Sequence, residues 1–363
     1  MVSWPERDPS FVRLRRDRDP SGAEALAART PRVGLRGVLA DLNRTARRVR
    51  FPGLLGRAVD SAYAWDAVDT ADPRWWPQGI TTSADAADTD LASRRIVLTS
   101  WYSKKIAEVT HGSRISVLDL ETLRYRHVLL VAPSYRDGVL TLNPLRVHAG
   151  GIAWCGDYLH VAATGRGFAT CHLDDIVRIP DHLGAGDQNR IEATEQQVAG
   201  FGHRYLLPVR EWHRGETVGE GEKLRYSFLS TAHGVDGPSL IAGEYGRGTQ
   251  STRVARYALE PGSWELRTDA EQNAHPVALH DLGIQRMQGV TITDDDWYVT
   301  TSNGPLWPGT VHAGRAGALR ARHLVTPIGP EDVVHWPEHD ELWSVTEHPY
   351  RRWVFSMRRD WFS

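Results

Sequence analysis

The 363-residue sequence contains very little cysteine, methionine and lysine, with 2 Cys, 3 Met and 3 Lys against 40 Arg. The two cysteines, Cys155 and Cys171, are too few for a disulfide-stabilised scaffold or a cysteine-rich zinc module. Both fall in neighbouring strand-like runs with no basic or histidine-rich sequence beside them. We therefore interpret them as small buried hydrophobic residues rather than nucleophiles.

Long apolar runs and a strong net charge are also missing. No run approaches the roughly 18 apolar residues of a membrane-spanning helix, and the N-terminus has no apolar signal segment. The formal net charge of −2 excludes a strongly basic nucleic-acid binder. We expect a cytoplasmic protein whose partner is a small-molecule ligand rather than a nucleic acid or a membrane. The oligomeric state stays open.

The first 50 residues differ in character from the rest, with 12 Arg against 6 acidic residues. Ser21 and Glu24 have the spacing of a capping box, and apolar residues recur at helical spacing from Gly34 to Arg50. The sequence predicts a short helical N-terminal extension over residues 1–60. This extension is expected to pack on a domain formed by residues 61–363.

Short β-rich runs bounded by turn residues replace the helical pattern after residue 74. One unit of a small apolar strand, a turn and further strands recurs five times, at 76–121, 147–176, 225–260, 286–314 and 329–357. Fourth strands are predicted at 127–133, 203–209, 264–269 and 319–326. The fold class is therefore all-β, as a five-bladed β-propeller whose ring is closed by residues 62–68 pairing with 353–357. A six-bladed ring, with a degenerate blade hidden in 177–224, is the alternative.

The blade starts Gln78-Gly79-Ile80 and His148-Ala149-Gly150-Gly151-Ile152-Ala153-Trp154 carry a family resemblance. The sequence resembles the β-propeller superfamily that includes lactonase-type, strictosidine-synthase-type and glycosidase-type members, and uncharacterised actinobacterial propeller proteins. In lactonase-like propellers, carboxylate and Asn oxygens from several blades hold a metal in the central channel. The corresponding positions here offer one carboxylate, Glu331, with Asp332 beside it, so we predict no metal and no cofactor. Calcium in the channel stays open as the alternative.

Propeller geometry brings the inner-strand starts and the loops between second and third strands to one channel mouth. The blade starts contribute two amides, Gln78 and Gln288, and two candidate catalytic residues, Glu331 and His148. Burial in a channel would raise the pKa of a glutamate toward neutrality, and histidine is the natural second proton carrier. The loops contribute cationic and aromatic candidates for substrate binding, namely Trp101, Tyr102, Lys104, Arg166, Tyr245, Arg247, Trp307 and Tyr350.

Two classes of function follow from this mouth. The first is an enzyme that acts by acid–base chemistry on a small anionic organic molecule in the channel. Lactone or ester hydrolysis, isomerisation or cyclisation, including a step of natural-product biosynthesis, would suit the predicted groups. The alternative is a non-catalytic propeller scaffold that binds a peptide or a carbohydrate.

The spacing of His335 and His339 around Pro337 fits two hairpin histidines better than a helical zinc pair.

Overall fold

A computed structural model describes residue 4 and residues 7–183, 188–194, 196–234 and 237–363. The α-helices are short: α1 Ser21–Ala27, α2 Gly34–Leu39, α3 Ala67–Ala71 and α4 Thr89–Ala92. The strands of the first half are β1 Val12–Arg18, β2 Arg44–Thr45, β3 Arg47–Arg48, β4 Val59–Ala64, β5 Trp75–Thr82, β6 Ile96–Ser103, β7 Ser113–Asp119, β8 Arg124–Arg136, β9 Val139–Pro144, β10 Ile152–Cys155, β11 Tyr158–Ala162, β12 Gly167–His172 and β13 Val177–Arg178.

The second half is almost entirely strand and turn. Its strands are β14 Ile191–Ala193, β15 Val198–Gly200, β16 Tyr205–Thr217, β17 Phe228–Gly234, β18 Gly237–Gly243, β19 Arg253–Ala258, β20 Asn273–Ala274, β21 Pro276–Asp281, β22 Met287–Thr293, β23 Asp296–Thr301, β24 Thr310–Arg315, β25 Arg320–Arg322, β26 Pro330–Trp336, β27 Glu341–Thr346 and β28 Trp353–Arg358.

Strand pairing repeats the predicted unit of antiparallel strands. The units are β5-β6-β7-β8, β10-β11-β12-β16, β17-β18-β19-β21, β22-β23-β24-β25 and β26-β27-β28-β4. Their first strands contact one another in a ring, so the fold is a β-propeller around a central channel. The first two units are joined into one sheet by parallel pairing of β16 with β8. The number of blades stays a prediction.

Glycines on the inner strands allow this ring to close tightly. A Cβ on Gly79 would lie 2.7 Å from the backbone nitrogen of Ile152 on the next inner strand. A Cβ on Gly151 would likewise lie too close to the backbone of β17, and a Cβ on Gly289 too close to the backbone of β26. The recurrent glycine of the sequence unit is therefore a packing requirement, since no side chain fits between adjacent inner strands.

Ring closure follows the predicted pairing of an N-terminal segment with the last strand of the chain. In β4, Ala64 pairs with Trp353 and Tyr63 with Val354 of β28. The strand covers Val59–Ala64 rather than 62–68, because Asp66 accepts a hydrogen bond from the Asp69 N–H at 2.8 Å and starts helix α3. The long 177–224 region contributes β13, the β14–β15 hairpin and β16 in its described part.

Two local predictions were wrong. The helix predicted from Gly34 to Arg50 ends at Leu39, because the backbone N–H groups of Asn43 and Ala46 donate to the β7–β8 turn and to β8 instead. The fourth strand predicted at 264–269 is replaced by β21, which pairs with β19. Strand β1 adds a further strand to the second unit through pairing with β16, so the N-terminal segment is not purely helical.

A buried ionic cluster ties helix α3 to the outer strands of the first unit. The Asp69 carboxylate accepts hydrogen bonds from Arg114 at 2.9 Å and from the Tyr125 hydroxyl at 2.6 Å, and lies 2.8 Å from His127 Nε2. Despite burial, the surrounding His127, Arg114 and Arg44 hold the pKa of Asp69 well below its usual range. The carboxylate therefore stays ionised and fixes these outer strands.

Candidate functional site

The predicted channel mouth contains a cluster of carboxyl groups held by amides. Gln78 Nε2 donates to Glu347 Oε2 at 3.2 Å, and Gln288 Nε2 donates to Glu331 Oε1 at 3.4 Å. Glu331 is buried, whereas the Glu347 side chain is 21% exposed. The structure thus connects three sequence-predicted residues and adds Glu347, which lies in the loop after β27.

Backbone irregularities place these side chains. The pairing register shifts between Pro77 and Ile80 in β5, between Met287 and Gly289 in β22, and between Pro330 and Val333 in β26. Each shift brackets one of the site residues Gln78, Gln288 and Glu331. A β-bulge re-aims the side chain it carries, and such bulges are frequent next to active sites.

Asp332 lies deeper in the channel and contacts two other inner strands. Its Oδ2 accepts hydrogen bonds from the backbone N–H groups of Ile80 at 3.3 Å and Ile152 at 3.4 Å. Its Oδ1 is buried with no hydrogen-bond partner. Burial raises the pKa of Asp332 well above its usual range.

The two glutamates have different electrostatic surroundings. Burial and the neighbouring Glu347 and Asp332 raise the pKa of Glu331 well above its usual range. Burial also raises the pKa of Glu347, but Gln78, Lys104 and Arg352 oppose that shift. Environments that push the titration of two carboxyl groups apart are the usual basis of an acid and base assignment. Here the two carboxyl groups differ in their charged neighbours.

A cationic and aromatic group borders the carboxyl cluster. Lys104 Nζ lies 3.0 Å from the centre of the Trp76 ring, and the Arg352 guanidinium lies 5.7 Å from the same ring. Burial lowers the pKa of Lys104. Burial and the nearby Glu347 and Glu331 raise the pKa of Tyr102 to about 12. Lys104 and Tyr102, both predicted from sequence, therefore lie in the electrostatic environment of the carboxyl cluster.

The second predicted catalytic residue, His148, is exposed at this mouth. Its ring centre lies 4.4 Å from that of Tyr102, and desolvation lowers its pKa. The imidazole is therefore neutral at pH 7 and able to accept a proton. Its connection to the carboxyl cluster runs through Tyr102 rather than through a hydrogen bond to Glu331.

The remaining predicted binding residues lie elsewhere in the blades. Trp101 is fully buried, with its ring 5.1 Å from that of Trp65, and is a core residue. Arg166 donates to the Arg146 carbonyl, and Arg247 donates to the Tyr245 hydroxyl at 2.6 Å. Trp307 and Tyr350 are exposed in loops. The structure shows no contact between these six residues and the carboxyl groups.

Sequence reasoning missed Glu347, Arg352 and Trp76 as site residues. Glu347 and Arg352 belong to the loop after the second strand of the last unit, the loop type that supplied Lys104, so the same geometric argument could have found them. Trp76 lies two positions before Gln78 on β5. A strand alternates its faces with a period of two, so this spacing placed Trp76 on the Gln78 face.

The donor set does not match a metal centre. Among the residues that the structure describes, no group of three or more His, Cys, Asp or Glu side chains is placed to hold a metal ion. Ca²⁺ prefers six to eight oxygen ligands, several of them carboxylates, whereas the predicted blade starts offer Glu331 and Asp332 with the amides Gln78 and Gln288. No helix in the described part of the chain is long and apolar enough to cross a membrane.

No protein-family model and no curated protein matches the chain. The chain is similar to the solved structure of a gluconolactonase from Xanthomonas campestris, with 15% identity, 88% of this chain and 85% of that chain covered, and a TM-score of 0.34. It is also similar to the Cps50 (Swd1) β-propeller domain from Myceliophteria thermophila, with 12% identity, 77% and 96% covered and a TM-score of 0.36.

A third similar structure is the GH43_1 enzyme from Xanthomonas citri complexed with xylotriose, with 11% identity, 79% and 88% covered and a TM-score of 0.34. At these identities and TM-scores, the similarity carries no inference about activity.

Proposed function

We propose that this protein is an enzyme that hydrolyses a lactone or ester bond of a small organic molecule bound at the carboxyl cluster. The observation that carries the proposal is the pair Glu331 and Glu347, each held by one glutamine, with acidic neighbours around Glu331 and cationic neighbours beside Glu347. Isomerisation or cyclisation would use the same acid and base without water.

The proposed step needs one acid and one base on the two sides of an acyl carbon. The Glu347 carboxylate takes a proton from water as the water oxygen bonds to that carbon. The carboxylic acid of Glu331 gives its proton to the leaving oxygen as the carbon–oxygen bond breaks. Gln78 and Gln288 fix the orientation of the two carboxyl groups, while His148 returns protons between the site and solvent.

The cationic residues beside the carboxyl cluster favour a substrate with a negative charge. Lys104 and Arg352 lie beside Glu347, which supports one anionic group on the substrate rather than several. The inner part of the channel holds carboxyl groups whose pKa values are raised by burial. We infer that the anionic group binds at Lys104 and that the bond to be cleaved lies deeper, toward Glu331.

A pH-stat assay of the purified protein against aldonolactones, γ- and δ-lactones and simple carboxylate esters tests this function. Turnover by the wild type that is lost in Glu331→Gln and Glu347→Gln, and kept in the exposed control Glu271→Gln, supports the proposal. Binding of lactones without any turnover would contradict it.

A carbohydrate-binding scaffold is the second candidate. Trp307 and Tyr350 are 63% and 74% exposed, and exposed aromatic rings offer stacking faces to sugars. Oligosaccharide binding that is weakened by Trp307→Ala and unaffected by Glu331→Gln would favour this function.

A further inference from the structure

The opposite end of the channel contains a second cavity, of about 640 Å³. It lies where four inner strands end, at Thr82, Gly234, Thr293 and Trp336. His335 is four residues beyond Glu331 on β26, which is roughly 13 Å along a strand. The cavity is therefore separate from the carboxyl cluster, although both are built on the same inner strands.

The lining of this cavity carries an excess of negative charge. Four acidic side chains line it, namely Asp85, Asp294, Glu338 and Asp340. Arg359 is the one arginine or lysine among the described lining residues, and it forms an ion pair with Asp340. Asp294 lies 3.6 Å from the same guanidinium and is 77% exposed. Arg359 and His233, whose pKa is raised by its hydrogen bond to Asp85, thus face four carboxylates.

A buried histidine in the lining has an unused hydrogen-bonding group. The His335 side chain is 7% exposed. Its Nε2 lies 3.5 Å from Asp340 Oδ1, and this contact opposes the lowering of the His335 pKa by burial. Its Nδ1 is buried with no hydrogen-bond partner. Desolvation lowers the pKa of His335, so the ring is neutral and one nitrogen is an acceptor. An unpaired buried acceptor calls for a donor from a ligand.

The rest of the lining is aromatic and apolar. Trp264, Pro238, Pro261 and Pro337 form it. The Trp264 ring centre lies 6.0 Å from that of His233, whose Nε2 is 2.8 Å from Asp85 Oδ1. A tryptophan face attracts cations as well as hydrocarbon. Apolar walls beside carboxylates and a neutral imidazole form an environment suited to an organic ammonium ion.

We propose that this second cavity, at the channel end opposite the carboxyl cluster, binds a small primary ammonium ion with an apolar group. The ammonium group donates to His335 and is attracted by Asp294 and Glu338, while the apolar group packs on Trp264 and the prolines. A metal ion fits less well, because no group of three or more acidic, histidine or cysteine side chains among the described residues is placed to hold one.

Isothermal titration of the full-length protein with phenethylamine tests the proposal, with phenethyl alcohol as the uncharged control. We expect phenethylamine to bind and the alcohol to bind about tenfold more weakly or not at all. The double variant Asp294→Asn/Glu338→Gln should weaken amine binding about tenfold. Both side chains are exposed, so the fold should survive. The matched double variant Asp137→Asn/Glu271→Gln removes the same charge elsewhere on the surface and should bind as the wild type does.

The proposal would be overturned by no binding of phenethylamine, by equal binding of amine and alcohol, or by equal loss of binding in both double variants. Displacement of the amine by stoichiometric Zn²⁺ or Ca²⁺ would assign the cavity to a metal instead, and would also overturn it. Glu331→Gln should leave amine binding unchanged, so this result is independent of the proposed hydrolysis.

Discussion

The Asp332 carboxyl group on β26 accepts a hydrogen bond from the backbone N–H of Ile80 on β5, at 3.3 Å across the channel. The same oxygen accepts from Ile152 on β10 at 3.4 Å. One side chain of the last inner strand therefore links the first two inner strands.

Two substitutions of Asp332 distinguish the stability that its hydrogen bonds provide from the stability that is lost through its raised pKa. Because the pKa of Asp332 is raised, the native state keeps a proton that the unfolded chain releases above about pH 4. Stability is therefore lost as pH rises from that value toward the native pKa. Asp332→Asn keeps an acceptor oxygen and should be more stable than wild type at pH 8, with a smaller difference at pH 5.

Asp332→Ala leaves the Ile80 and Ile152 N–H groups unpaired and should lose about 1–3 kcal/mol for each. Urea unfolding of both variants at the two pH values measures this contrast. Equal stability of the alanine and asparagine variants at pH 8 would contradict the bonding role.

Glu331→Gln should lower kcat by about 10²–10⁴-fold with little change in KM, because the amide keeps the shape but has no proton to give. The wild-type rate should fall on the acid side as Glu347 is protonated and on the alkaline side as Glu331 ionises. Both apparent pKa values should lie above 4.5, since burial raises both. A pH–rate profile of wild type and variant provides the measurement, and a variant with wild-type kcat would remove Glu331 from the chemistry.

Lys104→Ala should raise KM for an anionic substrate with a smaller change in kcat, because the Lys104 ammonium lies beside Trp76 in the environment of Glu347. The neighbouring Lys105 is exposed and pairs with Glu108, so Lys105→Ala is the matched control. Steady-state kinetics at constant ionic strength compares them. Equal effects of the two variants would indicate general electrostatic attraction rather than a binding group.

Gly79→Ala should destabilise the protein by about 1–3 kcal/mol, the usual cost of overpacking. The added Cβ would lie 2.7 Å from both Ile152 N and Ser100 Oγ. Gly165→Ala is the control, because nothing lies within 4 Å of a Cβ there. Thermal unfolding of both variants should separate them clearly. A stable Gly79→Ala protein would show that the inner ring can expand.

Acid should destabilise the protein below about pH 6.5 through buried neutral histidines. Burial lowers the pKa of His127 to about 4 and that of His160 to about 3, and it lowers the pKa of His213 as well. The unfolded chain binds these protons below about pH 6.5 while the native state does not, so stability falls as pH falls.

Each such proton contributes about 1.4 kcal/mol per pH unit. Urea titrations at pH 7.5, 6.5 and 5.5 measure the slope. An unchanged free energy of unfolding across this range would contradict the burial of neutral imidazoles.

The sequence alone determined the all-β architecture and the positions of the recurring glycine, whereas the reason for that glycine, the close approach of adjacent inner strands, came from the structure. Short apolar runs with turn residues at regular intervals do not need long-range information to indicate strands, and Gly79, Gly151 and Gly289 mark the inner-strand starts. Pairing of the N-terminal segment with 353–357 was also predictable, because an unpaired edge would otherwise remain. Gln78, Gln288 and Glu331 were predicted as site residues from their positions at the starts of these inner strands.

The tertiary structure decided what depends on contacts between distant segments. Residues 40–50 have a helical sequence pattern, but the helix ends at Leu39. The N–H groups of Asn43 and Ala46 donate instead to backbone carbonyls of β8 and of the turn before β8. Trp101 has the sequence context of a mouth residue and is buried against Trp65. The partnership of Glu331 with Glu347 depends on how the β27 loop folds over the channel. Local sequence patterns identify the strands, whereas the packing of loops and the desolvation of buried side chains arise only when the ring is assembled.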